Sequence, residues 1–290
     1  AYNQLIEDKV LFEATHAGQR VAPQAFKCSY RTADHAGEEK DLLLVFCDIA
    51  GEDTRAVSSL RKSGFYLRKA DGIITLLDTT RLTNVVNYMR GTIDGEAAGN
   101  IALRAENALT TLSTYLAAEF QGGKIDIPTA VVLTKSDVLK NIAMVSGERE
   151  FQEVVYAKNA NEIHKKYLNR KAIVQLQSSI RNMLELLGGR LFCNTVEKCF
   201  DEYNYFAVSA LGKSPVKEKI YDKDGNPRID KDGNEIVVKK VDGRLEPYRV
   251  AEPFYWILAK SDCIPYRYYE VFTLKRIKGL SLGFERKFWS

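Results

Sequence analysis

Histidine is scarce in this chain, with three in 290 residues. None lies beside a cysteine pair, which argues against a zinc site of the usual ligand spacing. Cysteine is sparse too. Cys28, Cys47, Cys193, Cys199 and Cys263 form no C-x-x-C pair. An odd number of thiols without a framework fits a reducing cytosol, so a cytoplasmic location is expected. No run reaches the roughly 18 apolar residues of a membrane-spanning helix. The opening AYNQLIEDKV has no signal-peptide core and no initiating Met, which suggests a cut chain. A large excess of charge is also missing. The net charge of +4 is too small to imply nucleic acid or membrane by itself.

What the chain does have is ordinary globular composition, 45% hydrophobic and 28% charged, and a strand–helix alternation. QAFKCSYRT (24–32) and LLLVFCD (42–48) read as two strands of an antiparallel hairpin, the second an apolar run of the doubly buried kind. Residues 54–71 have helical spacing. GIITLLDTT (72–80) is a continuously apolar strand of the kind covered by helices on both faces. Residues 96–120 form a long Ala- and Leu-rich helix ended by Gly122-Gly123. IPTAVVLTKSD (127–137) is the fourth strand, residues 147–187 read as two charged amphipathic helices, and residues 194–203 as a short helix. NYFAVSA (204–210) is the fifth strand, and AEPFYWILAKSD (251–262) a last helix with Pro253 in its first turn. This order predicts an α/β fold with a doubly wound, mostly parallel sheet.

Between the last strand and the last helix, YDKDGNPR and IDKDGNEI repeat at a period of eight. Asp-Gly and Gly-Asn are tight-turn chemistry, which predicts two short hairpins. As a calcium loop the pattern fails, because Gly comes two positions too early for D-x-[DN]-x-[DN]-G. The tail 266–290 interleaves basic and aromatic residues and reads as a solvated, partly packed extension.

In doubly wound sheets ligands bind at the carboxyl ends of the strands. Three strands here run into polar signatures: Asp48-Ile49-Ala50-Gly51, Thr134-Lys135-Ser136-Asp137, and Ser209-Ala210. Each is common alone. In this order, each closing an apolar strand, they resemble the P-loop GTPases of the translation-factor and Ras-like class. With YFAVSALG and a hairpin insertion before RVAEPFYWIL, the chain also resembles the bacterial double-GTPase families, over roughly residues 25–260.

The resemblance implies GTP or GDP and magnesium as ligands. Asp48 would serve the metal, with Thr15 as the switch threonine, and Gly51 would bring a backbone N–H to the terminal phosphate. Asp137 would accept from N1–H and the exocyclic amine of guanine. The stem of Lys135 would lie along the base, with Thr134 and Ser209 completing their motifs and Ala210 donating its amide to O6. Each acid could instead cap the helix that follows it.

Two departures stand out. Glu52 occupies the place where Ras-like enzymes carry a water-positioning Gln, so as a catalytic residue it implies slow hydrolysis at most. No G-x-x-x-x-G-K-[ST] motif occurs. AVSALGKS (207–214) is a loose match, but Pro215 and turn residues follow it, where a phosphate-binding helix should start. ATHAGQR (14–20) lies too close to the next strand. The strand preceding the phosphate loop would stand between those ending at Asp48 and Asp78, so either a segment before Ala1 or residues 8–14 should fill that place.

The expected layout is a GTPase-like domain over 1–263, with insertions at about 81–120, 141–190 and 215–247, and an extension over 264–290. The function implied is a magnesium-dependent guanine-nucleotide switch with a protein partner. A non-catalytic pseudo-GTPase scaffold competes with it, and a module that binds membrane or nucleic acid through its basic tail stands third.

Overall fold

The structure, a computed structural model, describes residues 23–31, 39–49, 56–89, 101–117, 123–156, 168–231, 233–263, 266–267, 269–271 and 285–287. Strands β1 (Gln24–Arg31) and β2 (Glu39–Phe46) pair antiparallel, with Gln24 opposite Phe46. Helix α1 (Val57–Ser63) stops at Gly64, and a 3-10 turn over Phe65–Lys69 follows. The helical spacing of 54–71 is therefore split. The Gly64 amide bonds back to the Leu60 carbonyl at 2.7 Å, an approach that a side chain at 64 would crowd.

Next come β3 (Ile73–Asp78), α2 (Thr83–Met89), α3 (Ile101–Ala117) and β4 (Thr129–Thr134). Helices α4 (Ala143–Ser146) and α5 (Arg149–Tyr156), strand β5 (Leu168–Asn169), and helices α6 (Arg170–Leu186) and α7 (Arg190–Cys199) lead to β6 (Tyr203–Ala207). Helix α7 thus begins at Arg190 and ends at Cys199, not over 194–203. The insertion is an antiparallel ribbon of β7 (Val216–Lys219) and β8 (Val237–Lys240), and α8 (Glu252–Lys260) follows with proline in its first turn. The tail holds β9 (Tyr266–Arg267), parallel to β5, and the antiparallel pair β10 (Tyr269–Val271) and β11 (Glu285–Lys287), pairings its composition did not suggest.

The organising layer is a parallel sheet in the order β3-β4-β6. Its side chains alternate between two cores, as a period of two requires. Ile73, Leu77, Val131, Leu133, Tyr205 and Ala207 join the larger core with Leu60, Leu116 and Val196. Ala130, Val132, Phe206 and Val208 face the other way, onto Ile173 of α6 and Trp256 and Ala259 of α8. Each large side chain buried in this manner contributes about 1.5–3 kcal/mol. Helices on both faces explain why β4 is buried from Thr129 to Leu133 and apolar between its terminal threonines.

Two strand expectations need correcting. Among the described residues β3 is an edge strand, and Leu76 is 68% exposed. Strand β2 is not buried on both faces either: among the described residues it belongs to a two-stranded sheet, with Leu43 and Val45 exposed. Apolar composition alone does not distinguish a covered strand from one whose apolar face is open. At its end β2 is tied to the rest by Phe46 against Phe254 of α8, and just beyond it by the Tyr66 hydroxyl donating to the Asp48 carbonyl at 3.0 Å.

The five cysteines are free thiols. Burial pushes the Cys193 thiol up to about 11, which leaves it inert as a nucleophile at neutral pH. Among the described residues no helix is long and apolar enough to cross a membrane.

Candidate functional site

Strands β3, β4 and β6 end side by side, with Asp78 opposite Thr134 and Ala207 opposite Leu133. Lys135 turns the chain out of β4 in the left-handed region, at φ 55° and ψ 32°. That conformation costs an L-residue about 1–2 kcal/mol and persists where its surroundings hold it. The buried Thr79 hydroxyl does so, 2.8 Å from the Thr134 carbonyl and 3.1 Å from that of Lys135. The Lys135 ammonium donates to Asp78 Oδ2 at 2.7 Å, and Asp78 Oδ1 accepts from the Thr80 amide and hydroxyl. Burial works against the charged form of Asp78. The bonds from Lys135 and Thr80 outweigh it and hold this carboxyl below the ordinary range.

Asp137 follows in the first turn of a 3-10 helix over Ser136–Asn141, yet it does not cap that helix. The capping position belongs to Lys135, which makes no side-chain cap bond. Instead the carboxylate, only 8% exposed, turns toward β6, where Ser209 donates its hydroxyl to Oδ1 at 2.6 Å. The Ser209 oxygen accepts from the Gly212 amide at 2.8 Å, which commits the hydroxyl hydrogen to Asp137. The other carboxylate oxygen, Oδ2, lies 3.4 Å from the Ser214 hydroxyl, too far for a firm hydrogen bond.

The two loops are also joined through their backbones, the Ser136 amide donating to the Val208 carbonyl at 3.1 Å. Ala210 is exposed at the tip of the second loop. Tyr248, returning from the ribbon, forms an antiparallel bridge with Ser209 and shares a 2.9 Å hydroxyl hydrogen bond with Ser136. Burial pushes the Tyr248 phenol up to about 12, so it keeps its proton at neutral pH.

The structure therefore brings Thr134, Lys135, Asp137, Ser209 and Ala210 into one place. Asp48 is described and exposed, and it does not cap α1, whose capping residue is Ala56. Thr15, Gly51 and Glu52 lie outside the described residues. Among the described residues no cluster of three His, Cys, Asp or Glu could hold a metal ion. The stretch 207–214 leads into the strand β7 rather than a helix, so it offers no helix N-terminus for phosphate. Asp78, Thr79 and Tyr248 are site residues that the motifs did not reveal.

A sequence model of the Double-GTPase 2 family matches residues 10–187, more than half of the chain. The chain belongs to the Double-GTPase 2 family. No curated protein and no solved structure matches it. The Double-GTPase 2 match takes in Thr134, Lys135 and Asp137, while Ser209 and Ala210 fall beyond it. The Ser209–Asp137 bond ties those two parts of the Double-GTPase 2 chain together across 72 positions.

Proposed function

We propose that this domain is a guanine-nucleotide-binding switch, dependent on magnesium and slow to hydrolyse GTP. The observation that carries the reading is the Asp137–Ser209 pair. A carboxylate that merely capped its helix would turn to its own backbone. This one is aimed by a neighbouring strand end, with Oδ2 left on a weak contact. Such an acceptor edge suits the N1–H and amine of guanine, and adenine has no such donor pair. The exposed loop at Ala210 supplies an amide for O6, and Lys135, anchored on Asp78, is placed to line the base.

Asp48 with Thr15 would hold the metal, whose charge offsets that of the phosphates when bound. Gly51 would approach the terminal phosphate, and Glu52 beside it would disfavour rapid hydrolysis by repulsion. The sheets β1-β2 and β3-β4-β6 are read as two parts of one Ras-like sheet. Among the described residues β3 stands at the edge of its sheet, and that unpaired edge supports a further strand between β2 and β3. The exposed ribbon β7-β8 is the natural place for a protein partner.

Ser209→Ala tests the base site in the full-length protein. Removing the donor leaves Asp137 unaimed and is expected to lower GDP affinity roughly tenfold, with ADP binding unaffected. Titration of both nucleotides reads the effect. Unchanged GDP affinity in a folded variant would remove the support for this site.

A further inference from the structure

The β7-β8 insertion leaves the base loop at Ser214 and returns to it at Glu246. On return the chain closes back on that loop. The Glu246 amide donates to the Leu211 carbonyl at 3.0 Å, and Ser209 and Tyr248 exchange backbone bonds at 3.2 and 2.9 Å. Gly212, at φ 79°, lies against the Glu246 carbonyl so closely that a side chain there has no room. The Tyr248 ring is buried, its hydroxyl bonds the buried Ser136, and the Lys140 ammonium lies 4.9 Å from its centroid. Ser136 precedes Asp137 in the chain, and Ser209 is the donor of the Asp137–Ser209 bond. One tyrosine thus holds both loops that the carboxylate bridges.

We propose that residues 246–248 are a clasp for the base site and that Tyr248 is its positioning residue, setting the Asp137 edge that discriminates guanine. This rests on the guanine reading above. Tyr248 acts through Ser136 and Ser209 and need not touch the nucleotide. With the phenol hydroxyl gone, the Ser136 loop keeps its backbone bond to Val208 but loses its side-chain tie, and the carboxylate no longer presents both acceptor positions in register. The bond to the exocyclic amine, at the far end of the edge, suffers most. The preference for GDP over inosine diphosphate, which lacks that amine, therefore reports the clasp directly.

The test uses Tyr248→Phe, Ser136→Ala and the double variant in the full-length protein, with GDP, inosine diphosphate and ADP as probes. Each single variant is expected to weaken GDP roughly fivefold and to shrink the GDP-to-inosine preference by a similar factor. Each single change leaves one buried hydroxyl without its partner and lowers the melting temperature. The double change removes both groups and is expected to recover stability but not base preference. A change that was only structural would recover both. Folded single variants with the parent's GDP preference would overturn the clasp while leaving the base reading intact, provided the parent still selects GDP over ADP. A parent that binds GDP and ADP alike would overturn the base reading, and the clasp with it.

Discussion

Asp137→Asn is expected to lower GDP affinity at least roughly tenfold and to confer binding of xanthosine diphosphate. The carboxylate has one oxygen fixed by the Ser209 hydroxyl at 2.6 Å and a second on a weak 3.4 Å contact with the Ser214 hydroxyl. In the variant one oxygen becomes an amide NH2. If the remaining carbonyl keeps the Ser209 donor, the NH2 faces the base. Guanine presents donors along that edge, so donor meets donor, and a buried group left unpaired costs about 1–3 kcal/mol. Xanthine replaces the amine by a carbonyl and restores the pairing. Titration of both diphosphates against both proteins checks this. A folded variant with undiminished GDP affinity would refute the role of Asp137.

Gly212→Ala is expected to destabilise the protein by roughly 2–4 kcal/mol and to abolish tight GDP binding. Two effects add. A β-carbon at positive φ is strained by about 1 kcal/mol, and it would collide with the Glu246 carbonyl, which cannot retreat without opening the Leu211–Glu246 bond. Gly225 and Gly233 in the ribbon turns provide the matched control. They have φ of 83° and 84° and nothing within 4 Å of an added β-carbon. Alanine there should show the backbone strain alone. Urea unfolding separates the cases. Equal loss of stability at positions 212 and 225 would mean that the close approach contributes nothing.

The three strands of the parallel sheet and the β1-β2 hairpin were legible because each depends on a local signal, an apolar run or a polar turn between two strands. The Lys135–Asp78 pair was half legible. Both residues end strands, but only parallel pairing in register, Asp78 beside Thr134, brings them together. Tyr248 carried no signal at all, since it stands 112 positions from the serine it bonds and lies in no motif. Exposure misled where composition was the only guide. Leu76 and Leu43 are as apolar as Val131, yet among the described residues only Val131 of the three has a strand on each side and a core above it. The break at Gly64 leaves no trace in the sequence pattern, because helical spacing continues on either side of it.

The most direct test of the whole reading is competition on the full-length protein, with labelled GDP displaced by unlabelled GTP or ATP in the presence of magnesium. A site whose buried carboxylate pairs with donors on guanine should reject a base lacking them by at least roughly a hundredfold. GTP should therefore displace the label at concentrations where ATP leaves it bound. Displacement by ATP and GTP alike, or no binding of any nucleotide, would contradict the guanine switch and leave the fold as an interaction scaffold.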